Sequence, residues 1–202
     1  MGQLLPLFPL DVVLFPGTPL PLHVFEPRYK ELIGECLKDK IPFGVVRAQE
    51  EGLAEVGCTA EIVDVAKRYD DGRMDIVTAG RRRFELVELN EERNYLQAEV
   101  MFFDDESSEA PKEKVERAVQ LYSELASVVG AEVETPEAQG PLISFQIAAP
   151  LPLDLDFKQT LLAMRSEDQR LVAIIEYFEA LVPKMRRVMH VRQRAGGNGH
   201  AL

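Results

Sequence analysis

Near Asp104 the apolar residues of this chain change their period, and that change limits the fold more than any other feature. Before it the apolar runs are short, β-branched or aromatic, and broken by Gly and Pro; after it they recur every three or four residues. Strands first and helices second predict an α+β chain in two parts. Asp71-Gly72 supplies the positive φ angles of a tight hairpin, so 62–68 should pair with 74–79. In 95–103, Leu96, Ala98, Val100 and Phe102 alternate with Gln97 and Glu99, the pattern of a half-buried strand. Further strands are expected at 4–7, 20–25, 43–47 and 84–89. A helix from Pro27 or Arg28 to Leu37 interrupts them, with Tyr29, Leu32, Ile33 and Cys36 on its apolar side.

The acidic segment 104–109 reads as a connector, and Pro111 opens a helix whose stripe is Val115, Val119, Tyr122, Ala126 and Val129, with Gly130 as its stop. Short helices are expected over 141–149 and 156–164. Ser166-Glu-Asp-Gln169 is a capping box that starts a long helix. Leu171, Ile174, Phe178, Leu181, Met185 and Val188 form its stripe, and Pro183 removes one of its main-chain hydrogen bonds. The expected division is a β-rich part over 1–103, a helical part over 104–194 and a glycine-rich disordered tail over 195–202.

Composition excludes several classes. The chain has 202 residues, 46% of them hydrophobic and 28% charged, which fits a globular core rather than a disordered chain. Two cysteines, Cys36 and Cys58, make no disulfide framework and no four-cysteine zinc site, which points to a reduced, cytoplasmic setting. The start has no basic region before its apolar residues, and no apolar run is long enough to cross a bilayer. A net charge of -11 disfavours nucleic acid and anionic lipid. The stretch from Lys184 to Arg194 is locally basic, either as a solvated helix end or as an RNA-binding face.

No recognised catalytic arrangement emerges. There is no Gly-rich loop followed by Lys and Ser or Thr, and no Gly-x-Ser-x-Gly elbow. The histidines at 23, 190 and 200 have no ligand partner at metal-motif spacing, and His23 reads as a core or barrel-end residue. Cys58 reads as a structural thiol. In Arg81-Arg82-Arg83, alternation sends the middle residue to the opposite face, and the run reads as an edge-strand guard against aggregation. We therefore expect no catalytic residues, cofactor or metal. Six of the 13 prolines fall between Pro6 and Pro27 among large apolar residues. Such a surface either seals the barrel or remains available to another protein.

The sequence resembles the amino-terminal, substrate-binding domain family of Lon proteases. The residues that carry the resemblance are Leu5-Pro-Leu-Phe-Pro-Leu10, Val13-Leu-Phe-Pro-Gly17 and Leu22-His-Val-Phe-Glu-Pro-Arg-Tyr29. Phe43-Gly-Val-Val46, Gly57-Cys-Thr-Ala60, Val77-Thr-Ala-Gly-Arg-Arg-Arg-Phe84, Leu161-Leu-Ala-Met164 and Arg170-Leu171 continue it in order. The resemblance implies a six-stranded PUA-like pseudo-barrel followed by a helical bundle. It also implies a stand-alone module that binds unfolded or damaged polypeptides, or serves a protease partner, without catalysis of its own. Phe15, Pro16, Phe25, Pro27 and Tyr29 are the expected protein-binding residues. The alternative is an RNA-binding protein using the basic carboxy-terminal helix.

Overall fold

The computed structural model describes residues 3–106, 110–130 and 142–197. The chain forms two compact units. One runs to Asp104 and takes back Leu153–Ala163; the other comprises Asp105–Pro152 and the chain from Met164 onward.

The first unit holds seven strands, one more than the resemblance implies: β1 (Gln3–Leu10), β2 (Pro19–Val24), β3 (Phe43–Gln49), β4 (Gly52–Leu53), β5 (Val56–Arg68), β6 (Met74–Asn90) and β7 (Gln97–Phe103). Neighbouring strands follow the order β1-β7-β6-β5-β3-β4. β1 uses its two halves differently: Gln3–Pro6 runs antiparallel to β7, and Leu7–Leu10 runs parallel to β3. Pairing thus returns to its starting strand and closes a ring, which removes the edges of those strands over the paired segments. Leu5, Leu7, Val46, Phe84, Ala98 and Val100 pack together as a buried cluster within this unit. The far half of the β5–β6 hairpin is widened by β2, which pairs with Met74–Ala79 of β6.

The hairpin forms where Asp-Gly demands it, with Gly72 at φ +82°. α1 (Pro27–Asp39) buries Tyr29, Leu32, Ile33 and Cys36, the face its spacing selects, and ends at Lys40 in the left-handed region. α4 (Leu155–Ala163) belongs to this unit and not to the helical part, a correction of the expected division. The reason is a set of long-range bonds: Gln159 Nε2 donates to the Val56 carbonyl (2.8 Å), and Arg83 Nη1 donates to the Leu162 carbonyl (3.0 Å).

In the second unit, α2 (Lys112–Val129) has Pro111 as its N-cap and stops at Gly130. Its buried stripe is Ala118, Leu121, Tyr122, Leu125 and Ala126, rotated from the expected one. The small Ala118 and the larger Leu121 and Leu125 occupy the interior, and Val115 and Val119 are only partly covered. α3 (Ile143–Ala148) and α5 (Glu167–Gly197) complete the helices described. Ser166 Oγ accepts from the Gln169 N–H at 3.4 Å, a long form of the expected cap. α5 passes through Pro183 and continues to Gly197, beyond the expected end at 194; residues 198–202 of the expected tail lie outside the described residues. Leu171, Ile174, Phe178 and Val182 are buried, whereas Val188 is exposed.

The most deeply placed charge in this unit is Arg170, with no exposed surface. Its Nη1 donates to Asp105 Oδ1 (2.8 Å) and to the Met164 carbonyl (2.9 Å), its Nη2 to Glu167 Oε2 (2.6 Å), and its Nε to Ser144 Oγ (2.8 Å). The guanidinium also lies 4.4 Å from the centre of the Phe145 ring. A buried charge persists only when paired and hydrogen-bonded in this way.

Candidate functional site

The proline-rich start divides into buried and exposed residues. Gly17 turns at φ +77°, its N–H donates to the Gly80 carbonyl (2.9 Å), and the Gly80 N–H donates to the Thr18 carbonyl (2.9 Å). A Cβ at Gly80 would stand 2.1 Å from the Phe15 carbonyl oxygen, so only glycine admits this close approach. Phe15 is consequently 1% exposed, and Pro16 is buried beside it. Tyr29 stacks flat on Phe8 with centroids 3.9 Å apart and is also buried. These three side chains build the core and offer no surface, which corrects the expectation placed on them. The same burial raises the Tyr29 hydroxyl pKa.

Phe25 and Pro27 are exposed, Phe25 at 58%. His23, expected in the core or at a barrel end, is exposed next to Phe25, with ring centroids 5.9 Å apart. Its Nδ1 lies 2.5 Å from Asp75 Oδ1, and the Tyr69 hydroxyl donates to Asp75 Oδ2 (2.8 Å). These two hydrogen bonds hold the Asp75 carboxyl below the usual carboxylate range.

A separate cleft of about 560 Å³ opens in the same unit beside the end of α1. Leu37, Ile41, Pro42, Ile62 and Phe102 give it an apolar floor, and Lys40, Glu61, Arg81 and Arg82 stand around it. A β-bulge creates this arrangement. Cys58 faces Arg83 and Ala60 faces Gly80, so Arg81 and Arg82 together oppose Thr59 alone. The Arg82 N–H donates to Thr59 Oγ1 (2.9 Å) in place of a ladder bond. The alternation expected of the arginine run fails here: Arg81 and Arg82 are both exposed, and Arg83 is the buried one. β6 lies between β5 and β7 at Arg83, while Arg81 and Arg82 fall between its pairings with β2 and with β7. Arg81 Nε donates to Glu61 Oε2 (2.6 Å), and the Arg82 guanidinium lies 4.5 Å from the Phe102 ring centre.

Cys36 also lines the cleft, and burial pushes its thiol up to about 12. Cys58 is likewise pushed up to about 12, so neither sulfur is primed as a nucleophile. Among the described residues no group of His, Cys, Asp or Glu is arranged to hold a metal ion, and no helix is long and apolar enough to cross a membrane. On α5, Lys184 and Arg187 are exposed, and Arg186 Nη2 stands 3.2 Å from Glu124 Oε2; the side chains of 191–194 lie outside the described residues.

A family model for the substrate-binding domain of ATP-dependent protease La (LON) matches residues 4–180. The chain belongs to this family. The solved Lon N-terminal domain protein from Xanthomonas campestris superposes with a TM-score of 0.71 at 28% identity, over 87% of this chain and 98% of that one. The N-terminal domain of a Mycobacterium avium complex Lon protease shares the fold alone, with a TM-score of 0.63 at 16% identity over 88% and 98% of the two chains. Among curated proteins, Lon protease 2 of Myxococcus xanthus is 32% identical over 86% of this chain. Lon protease 1 of Hydrogenovibrio crunogenus is 29% identical over 91%. The chain spans only 23% and 24% of the length of those two relatives. The Lon substrate-binding signature thus has a structural reading in this chain. Val13-Leu-Phe-Pro-Gly17 and Gly80 are the two sides of one close backbone approach.

Sequence reasoning missed the cleft because its walls come from α1, β5, β6 and β7, and because a bulge overrides alternation. The only local signal was the doublet Arg81-Arg82 directly after Gly80.

Proposed function

We propose that this Lon substrate-binding domain binds unfolded or damaged polypeptides in the cleft beside the end of α1. It presents them to a protease partner in the cytoplasm and performs no chemistry itself. One observation carries the reading: in a member of a substrate-binding family, an open cleft pairs an apolar floor with charged walls, the chemistry that holds a polypeptide segment. The closed ring of strands and the packing of α2, α3 and α5 support the finer architecture, a PUA-like pseudo-barrel with a helical bundle. The RNA alternative is not favoured by the family match.

The test is fluorescence anisotropy of labelled, reduced and carboxymethylated α-lactalbumin titrated with the full chain. Binding should saturate, and Ile41→Asp, a change at an exposed apolar position lining the cleft, should weaken it at least about tenfold. Wild-type affinity in Ile41→Asp together with loss in Phe25→Ala would move the site to the exposed Phe25 and Pro27, the two surface members of the expected set. An absence of polypeptide binding would refute the proposal.

A further inference from the structure

The cleft combines two features that a single amino-acid residue can satisfy at once. Its floor is apolar, yet the Arg82 guanidinium lies directly against that floor, 4.5 Å from the Phe102 ring centre. Lys40 and Arg81 also line it, with Glu61 as the lining carboxylate and Asp104 beside Arg82. This is a cationic site on a chain whose net charge is -11, so its sign is set locally and not by the background. Glu61 is engaged with Arg81. The carboxylate nearest Arg82, Asp104, lies 3.9 Å away with its side chain 83% exposed, where solvent screens the pair.

We propose that the cleft takes the carboxyl-terminal residue of a polypeptide, with its apolar side chain on the floor and its free α-carboxylate at Arg82 and Lys40. This inference rests on the polypeptide-binding reading and names the part of the polypeptide that is bound. An internal acidic residue meets the geometry less well. In an extended segment neighbouring side chains point to opposite faces, and the next one on the same face is about 7 Å along. An α-carboxylate, by contrast, shares its Cα with the side chain on the floor, which places both groups where Phe102 and Arg82 meet. The residues leading to that terminus have a path as well. The β3–β5 pairing stops at Phe43 and Ala60, and among the described residues no strand lies on that side of β5 at Glu61 and Ile62. Bulges at Val63 and Ala66 limit any strand-like pairing to this first stretch.

The experiment compares two fluorescein-labelled short peptides ending in valine-threonine-leucine, one with a free carboxylate and one amidated, titrated against the full chain by anisotropy. The acid should bind at least about tenfold more tightly than the amide, the scale of one charge-assisted hydrogen bond. Arg82→Gln, an exposed change checked by circular dichroism, should weaken the acid more than the amide and so shrink the preference for the acid; an undiminished preference in this variant also overturns the proposal. A third peptide, amidated and with glutamate before the leucine, should bind like the plain amide. Equal affinity of acid and amide, or acid-like binding of the glutamate peptide, overturns the proposal while unfolded α-lactalbumin still binds. If α-lactalbumin does not bind, the reading beneath it falls too.

Discussion

Replacing Arg170 by Met should be among the most damaging single changes in the helical unit. The Arg170 side chain is fully buried, and its partner Glu167 is 10% exposed. In Arg170→Met the Glu167 carboxylate keeps the Ser144 N–H (2.8 Å) and hydroxyl (2.6 Å) as donors but loses its cation. Removing one member of a buried pair costs about 3–5 kcal/mol because the remaining charge stays desolvated. The two retained donors place this case near the lower end, about 3 kcal/mol. Against a typical total of about 5–15 kcal/mol that is a large fraction. Urea unfolding of the full chain, followed by the helical circular dichroism signal, measures it. Arg170→Met with Glu167→Gln should recover part of the loss, since the second change removes the more buried of the two stranded carboxylates, the Asp105 side chain being 23% exposed. A loss below about 1 kcal/mol in the single variant, or a double variant no better than the single, would refute the reasoning.

Gly80→Ala should destabilise the strand-rich unit by about 1–3 kcal/mol, because the new methyl meets the Phe15 carbonyl and both flanking hydrogen bonds resist displacement; a denaturation midpoint equal to wild type would contradict this. Cys36 and Cys58, both with thiols pushed up to about 12, should stay unreacted with Ellman's reagent at neutral pH and react once urea unfolds the chain. Asp75 ionises more readily folded than unfolded, through its bonds to His23 and Tyr69. Its stabilising contribution is therefore present above the ordinary carboxylate pKa and lost as pH falls through the lower folded value. Asp75→Asn should lower Tm at neutral pH, and the gap to wild type should close as the pH falls below the usual carboxylate range. A gap independent of pH would show that Asp75 acts by another route.

The signature blocks sort by reach. Local order is legible wherever one segment's own pattern decides it: Asp71-Gly72 sets the hairpin, and Tyr29, Leu32, Ile33 and Cys36 set the buried face of α1. Gly130 and Ser166 mark helix ends for the same reason, since caps are settled within a turn. Family membership was legible too, and the blocks that carry the resemblance lie within the matched residues 4–180.

The α+β order, the hairpin, the buried face of α1 and the family are therefore written in the chain's own local pattern, whereas the buried stripe of α2 is not. That Phe15, Pro16 and Tyr29 are core while Phe25 and Pro27 are surface is a matter of packing, since burial depends on Phe8 and Gly80 arriving from elsewhere in the chain. Long-range hydrogen bonds likewise join α4 to the strands and hold Arg170 in the interior. The cleft belongs to the same class: one extra residue opposite Thr59 turns Arg81 and Arg82 to the same side, and no period-two reading of β6 contains that residue.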